Sequence, residues 1–127
     1  MSPLKESFMK KTTAFLCSLA LALALPLNAF AIGAIAVDDV EGQDEPGYGY
    51  VTGADSEAEA KAGALKECRK SGNKNCKVAV WFKQCGAYAA SKTYSGIGYG
   101  NTQRIAEAKA LDECGNKACK IIVADCE

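Results

Sequence analysis

Hydrophobic residues follow three rhythms along this chain. In the first they run on almost unbroken, through residues 12–25, ending in Leu19-Ala20-Leu21-Ala22-Leu23-Ala24-Leu25. In the second they alternate. Val78, Val80 and Phe82 interleave with Ala79, Trp81 and Lys83, the period of a strand with two different faces. Gly47-Tyr48-Gly49-Tyr50 and Gly96-Ile97-Gly98-Tyr99-Gly100 alternate too, with glycines on one face and large side chains on the other. In the third they recur at helical spacing. Ala62, Leu65 and Cys68 share one helix face, and Ile105, Ala108, Leu111 and Cys114 share another.

Local signals bound the two helices. Ser56 and Thr102 stand where N-caps belong, since a hydroxyl there accepts a free backbone N–H of the first turn. Glu59 follows Ser56 at capping-box spacing, whereas Ile105 occupies the corresponding place after Thr102, so only the cap survives there. The helices are expected to run to about Lys70 and about Glu113, with Gly72 and Gly115 as stops. Glycine weakens a strand unless something must approach it closely. The small helix residues are therefore expected to lie over the glycine faces. The aromatic faces would then cover the rest of the core or a partner.

These elements repeat. Ala64-Leu65-Lys66-Glu67-Cys68 recurs as Ala110-Leu111-Asp112-Glu113-Cys114, and Cys76-Lys77-Val78-Ala79-Val80 as Cys119-Lys120-Ile121-Ile122-Val123. The Gly-x-Gly-Tyr blocks correspond, and Gly33-Ala34-Ile35-Ala36 corresponds to Gly86-Ala87-Tyr88-Ala89. Four blocks in one order indicate a tandem duplication. The expected fold is α+β: two strand–strand–helix–strand units, about 33–85 and 86–126, around a mainly antiparallel sheet. Strand order does not follow from the pattern.

The unbroken run has a different meaning. Lys10 and Lys11 precede it, Pro26 ends it, and Ala29-Phe30-Ala31 fits a small-x-small cleavage site. At about 14 residues it falls short of the ~18–20 that a spanning helix needs. Residues 1–31 are read as a signal peptide, with no retained membrane anchor. Ala14-Phe15-Leu16 before Cys17 departs from the Leu-small-small triplet of a lipid-modified cysteine. Residues 32–127 form the expected single domain, exported to the periplasm, the cell surface or the medium.

Composition then narrows the reading. Residues 1–31 hold three lysines and one glutamate of the chain's 15 basic and 15 acidic residues, so the remainder carries about −2. It has no basic excess to neutralise phosphates, which argues against nucleic acid. Six of the seven cysteines fall in this part, and an even number after an export signal reads as a disulfide framework. Each helix ends in a cysteine and each following strand begins with one, so repeat symmetry selects Cys68–Cys76 and Cys114–Cys119. Cys85 and Cys126 remain, as a bridge between the units. Long spacings and the lack of histidine disfavour zinc, and no C-x-x-C pair suggests redox work. No metal or other cofactor is expected.

Without histidine, Ser-His and Cys-His nucleophile arrangements are impossible. No catalytic residue is assigned. For a carboxylate-dependent glycan hydrolase, Asp38, Asp39 and Asp125 are the residues to test. The acidic run Asp38, Asp39, Glu41, Asp44 and Glu45 lacks EF-hand ligand spacing and reads as a solvated loop, or as a contact surface for a basic partner. The 96–100 glycines fit neither a dinucleotide fingerprint nor a P-loop. Trp81 faces away from Val80 and Phe82, and with Tyr48, Tyr50 or Tyr99 it could bind a protein or stack on a glycan ring. Arg104 and the lysines read as ordinary helix surface.

Taken together, Gly-Ala-Ile-Ala, the Gly-aromatic-Gly-Tyr strand, the Ala/Glu-rich helix ending in Cys, and Cys-Lys-Val resemble a family of small exported bacterial domains known only as a domain of unknown function. The resemblance spans about residues 33–126. It implies export and a duplicated disulfide domain, and it transfers no catalytic residue. The functional expectation is a non-enzymatic envelope or secreted binding module with a protein partner, for example an inhibitor or immunity-type protein against a lysozyme-like hydrolase. An adhesin or envelope-assembly partner is the second form; a glycan-binding module or glycan hydrolase is the alternative.

Overall fold

A computed structural model describes residues 31–40 and 45–127. The expected signal peptide, apart from Ala31, lies outside the described residues, as do Glu41 and Asp44. The element order is β1 (Ile32–Asp38), β2 (Gly47–Ala54), α1 (Glu57–Lys70), β3 (Lys77–Phe82), β4 (Cys85–Ala90), β5 (Ser95–Gly100), α2 (Gln103–Cys114) and β6 (Lys120–Cys126). This is an α+β fold of two strand–strand–helix–strand units. The antiparallel structure is divided into two three-stranded sheets, ordered β2-β1-β3 and β5-β4-β6. In each unit the first strand lies in the middle and pairs antiparallel with both others.

The caps form as the sequence implies. Ser56 Oγ accepts the Glu59 N–H at 3.1 Å, and Thr102 Oγ1 accepts the Ile105 N–H at 3.2 Å. The Glu59 carboxylate reaches one residue further back than a standard capping box and accepts the Asp55 N–H at 3.0 Å. Gly115 caps α2 in the left-handed conformation at φ 67°. At the end of α1, Ser71 is the cap and Gly72, at φ 97°, makes the turn.

The two faces of each middle strand build the layers. Ala34 and Ala36 pack under α1 with Ala60, Ala64 and Cys68. Ala87 and Ala89 pack under α2 with Ala106, Ala110 and Cys114. The opposite faces meet each other: Ile35, Val37, Val80 and Phe82 from one sheet bury against Tyr88, Ala90 and Val123 from the other. The layers therefore run helix, sheet, sheet, helix, and most of the large buried side chains lie in the middle.

The buried helix faces differ from the expected ones. Ala60-Ala64-Cys68 and Ala106-Ala110-Cys114, at strict i, i+4 spacing, face the sheets, while Ile105 and Leu111 are exposed. The sheets present alanine and glycine, so the helices approach until only methyl-sized groups fit. A Cβ on Gly49 would lie 2.1 Å from the Cys68 backbone nitrogen, and one on Gly98 would lie 2.0 Å from the Ala106 carbonyl oxygen. Closeness selected the stripe of small residues over the stripe of large ones.

The bridges are Cys68–Cys76, Cys114–Cys119 and Cys85–Cys126. The first two tie each helix end to the following strand. The third corrects the sequence reading, because it does not join the units. Cys85 opens β4 and stands directly opposite Cys126 on β6, so the bridge lies wholly within the second sheet. Other contacts hold the units together. The Phe82 ring sits over the lead-in glycines of both: a Cβ on Gly33 would fall 2.4 Å from it, and one on Gly86 2.2 Å. Tyr88 donates its hydroxyl to Asp39 at 3.2 Å, Lys120 pairs with Glu45 at 2.6 Å, and the Glu127 carboxylate accepts the Gly53 N–H at 2.8 Å.

Candidate functional site

β3 and β5 are edge strands of different sheets, and the seam where they meet leaves a groove of about 520 Å³. Trp81 projects from β3 on the face opposite the buried Val80 and Phe82, so the core cannot cover it. Tyr99 lies at the exposed end of β5, directly across from Gly86. Their relative exposures, 36% and 59%, leave both rings accessible. The β3–β4 turn adds Lys83 and Gln84, the end of β5 adds Asn101, and α2 adds Lys109. Lys109 Nζ lies 5.6 Å from the centroid of the Tyr99 ring, within cation–π range. The side chains of Lys83, Gln84 and Asn101 make no hydrogen bond or ion pair among the described residues. Among the described residues no carboxylate lines the groove.

The structure divides the sequence-derived candidates. Trp81 and Tyr99 come together here. Tyr48 and Tyr50 lie elsewhere, on β2, beside a shallow depression that also includes Glu67 and Ser71. The acidic candidates among the described residues serve internal contacts. Asp38 is buried, and its Oδ2 accepts the N–H groups of Lys74 and Asn75 at 3.2 and 3.1 Å. Asp39 pairs with Lys77 at 3.1 Å and accepts from Tyr88. Glu45 pairs with Lys120. Asp125, in the second sheet, accepts the Cys126 N–H at 2.8 Å. Burial, reinforced by the neighbouring Asp39 carboxylate, pushes the Tyr88 phenol up to about 12. That phenol stays protonated as a donor across the central layer and is no proton acceptor at neutral pH.

Chemically, the groove offers two flat apolar surfaces, two ammonium groups and two amides, a set suited to holding a ligand. Among the described residues no group of three or more His, Cys, Asp or Glu is placed to hold a metal ion. The sequence reading missed Lys109, taken as ordinary helix surface, together with Gln84 and Asn101. The available signal was a difference between the repeats: Lys109 corresponds to Gly63, and Trp81 to Ala124.

Residues 32–126 match the family described as a domain of unknown function (DUF4189), and the chain belongs to it. No curated protein and no solved structure matches the chain. Among the described residues no helix is long and apolar enough to cross a membrane, and three disulfides fit an oxidising compartment.

Proposed function

We propose that this member of the family is an exported, non-enzymatic binding module that takes its ligand in the Trp81–Tyr99 groove. One observation carries the reading: exposed rings and polar side chains that have no hydrogen-bond or ion-pair partner among the described residues converge at a single seam. Polar groups that a fold leaves unused, set beside apolar surface in a concave site, are what a binding site needs. The disulfide framework and the leader pattern support export. The acidic run gives less support to a surface for a basic protein, because Asp39 and Glu45 already pair with lysines.

Backbone and side-chain NMR of the oxidised protein tests this, with fractionated envelope polysaccharide and envelope protein added separately. Perturbations centred on Trp81, Tyr99, Lys83 and Lys109 are the expected outcome. Perturbations centred on Tyr48 and Tyr50 would move the site to β2, and a spectrum unchanged by every fraction would sink the proposal.

A further inference from the structure

The chemistry of the groove points to a ligand class. Resting on the binding-module reading above, we infer that the groove takes an oligosaccharide carrying carboxylate groups on its sugar rings. A pyranose ring presents a flat face of C–H groups, hydroxyls around its edge and, in an acidic sugar, one carboxylate. Each has a counterpart here. Trp81 and Tyr99 offer ring faces for the C–H surface. Gln84 and Asn101 carry amides that both donate and accept, as a hydroxyl pair requires. Lys83 and Lys109 supply positive charge.

The arrangement of charge narrows the class. The part of the chain after residue 31 is slightly acidic, yet among the described residues the groove has two lysines and no carboxylate, so its complement is an anion. The lysines enter from different elements, Lys83 from the β3–β4 turn and Lys109 from α2, and each is a single compact charge. Separate single charges match carboxylates on successive sugars better than one multiply charged group, which calls for a cluster or an arginine fork. A peptide that adds to a sheet is read through one strand's free backbone edge. This groove is lined by side chains from two sheets and a helix, and so fits a chain read through its rings and substituents.

Trp81 is the only tryptophan, so intrinsic fluorescence reports directly on the groove. The disulfide-intact protein is titrated with tetragalacturonate, with neutral chitotetraose and with an oligoaspartate of equal charge. The expected result is a saturable change in Trp81 emission with tetragalacturonate, at an affinity roughly tenfold or more above that for chitotetraose, and no saturation with oligoaspartate. The double variant K83Q/K109Q should lose about that tenfold preference, so that tetragalacturonate binds no more tightly than chitotetraose. Both lysines are exposed, and circular dichroism checks that the fold is intact. Equal affinity for the two saccharides, uronate binding untouched by K83Q/K109Q, or equally tight oligoaspartate binding would each overturn the inference. So would unchanged Trp81 emission with all three probes. Groove perturbations by another envelope fraction would still support the binding-module reading in every one of those cases.

Discussion

The two units share one plan, but the two seams between their sheets are finished differently. At the seam of β3 and β5, Trp81, Lys83, Gln84 and Lys109 surround an open groove. The repeat places Ala124, Cys126, Glu127 and Gly63 at the corresponding positions, where the chain after β6 reaches β2. Cys126 is consumed in the bridge to Cys85 within the second sheet, and the Glu127 carboxylate reaches across to the Gly53 N–H. Gly63 leaves room for Val51, whose Cγ1 would lie 3.0 Å from an added Cβ. One seam is latched and the other is open. The two units repeat one element order, and the residues that line the groove differ from their counterparts at a few edge positions.

The largest effect should come from the bridge inside the second sheet. Replacing Cys85 and Cys126 by serine opens a loop of 41 residues and should cost about 4 kcal/mol, against about 2 kcal/mol for Cys114 and Cys119, which are separated by five. Urea unfolding measures both. Equal costs would mean that the long bridge does not restrain the second sheet as argued. Next comes the close approach that both units share. Gly98→Ala drives a Cβ into helix backbone and should cost about 3 kcal/mol. Gly53→Ala meets no atom within 4 Å and is strained only by its φ of 72°, so about 1 kcal/mol is expected. Thermal denaturation of the pair separates packing from backbone strain.

A smaller effect should come from the Tyr88–Asp39 link across the central layer. The folded protein holds the phenol at about 12, above its ordinary value of 10.0, so the fold favours the protonated form. Its contribution is fully present below pH 10 and is lost as pH rises through 12, amounting to about 2 kcal/mol. Ultraviolet difference titration should show this late phenol in the wild type and lack it in Tyr88→Phe, whose stability should fall less between those pH values. An identical decline in both proteins would remove Tyr88 as the cause. The smallest effect is expected from Glu127→Gln, which keeps an acceptor for Gly53 and removes the charge. A loss of about 0.5–1 kcal/mol, shrinking with added salt, fits an exposed charge-assisted bond. No salt dependence would mean that the second seam is closed without help from that charge.

Legibility in the sequence followed the range of the interactions concerned. The caps at Ser56 and Thr102, the stops at Gly72 and Gly115, and the alternation in β3 depend on neighbours within a few residues, and all were readable. Repeat symmetry, a longer-range signal, singled out the two short bridges. Leu65 and the two cysteines do face the core, but Ala62, Ile105, Ala108 and Leu111 do not, because periodicity marks several possible stripes and only the sheet beneath selects one. The role of Cys85–Cys126 was misread because the unit boundary was placed one residue too late and strand order was unknown. Trp81 was legible as a residue turned from the core, but its companions Gln84, Asn101 and Lys109 come from separate elements, and no sequence spacing links them.

The sequence alone thus determined the element types, their duplication and their termini, because backbone propensity, capping and alternation act locally. Tertiary structure decided that each unit closes its own sheet, that the apolar faces of the two sheets meet, and that one seam stays open. Those outcomes depend on which surfaces bury each other best once the Ala and Gly faces have drawn the helices in. That is a competition between distant parts of the chain, and no local pattern records its result.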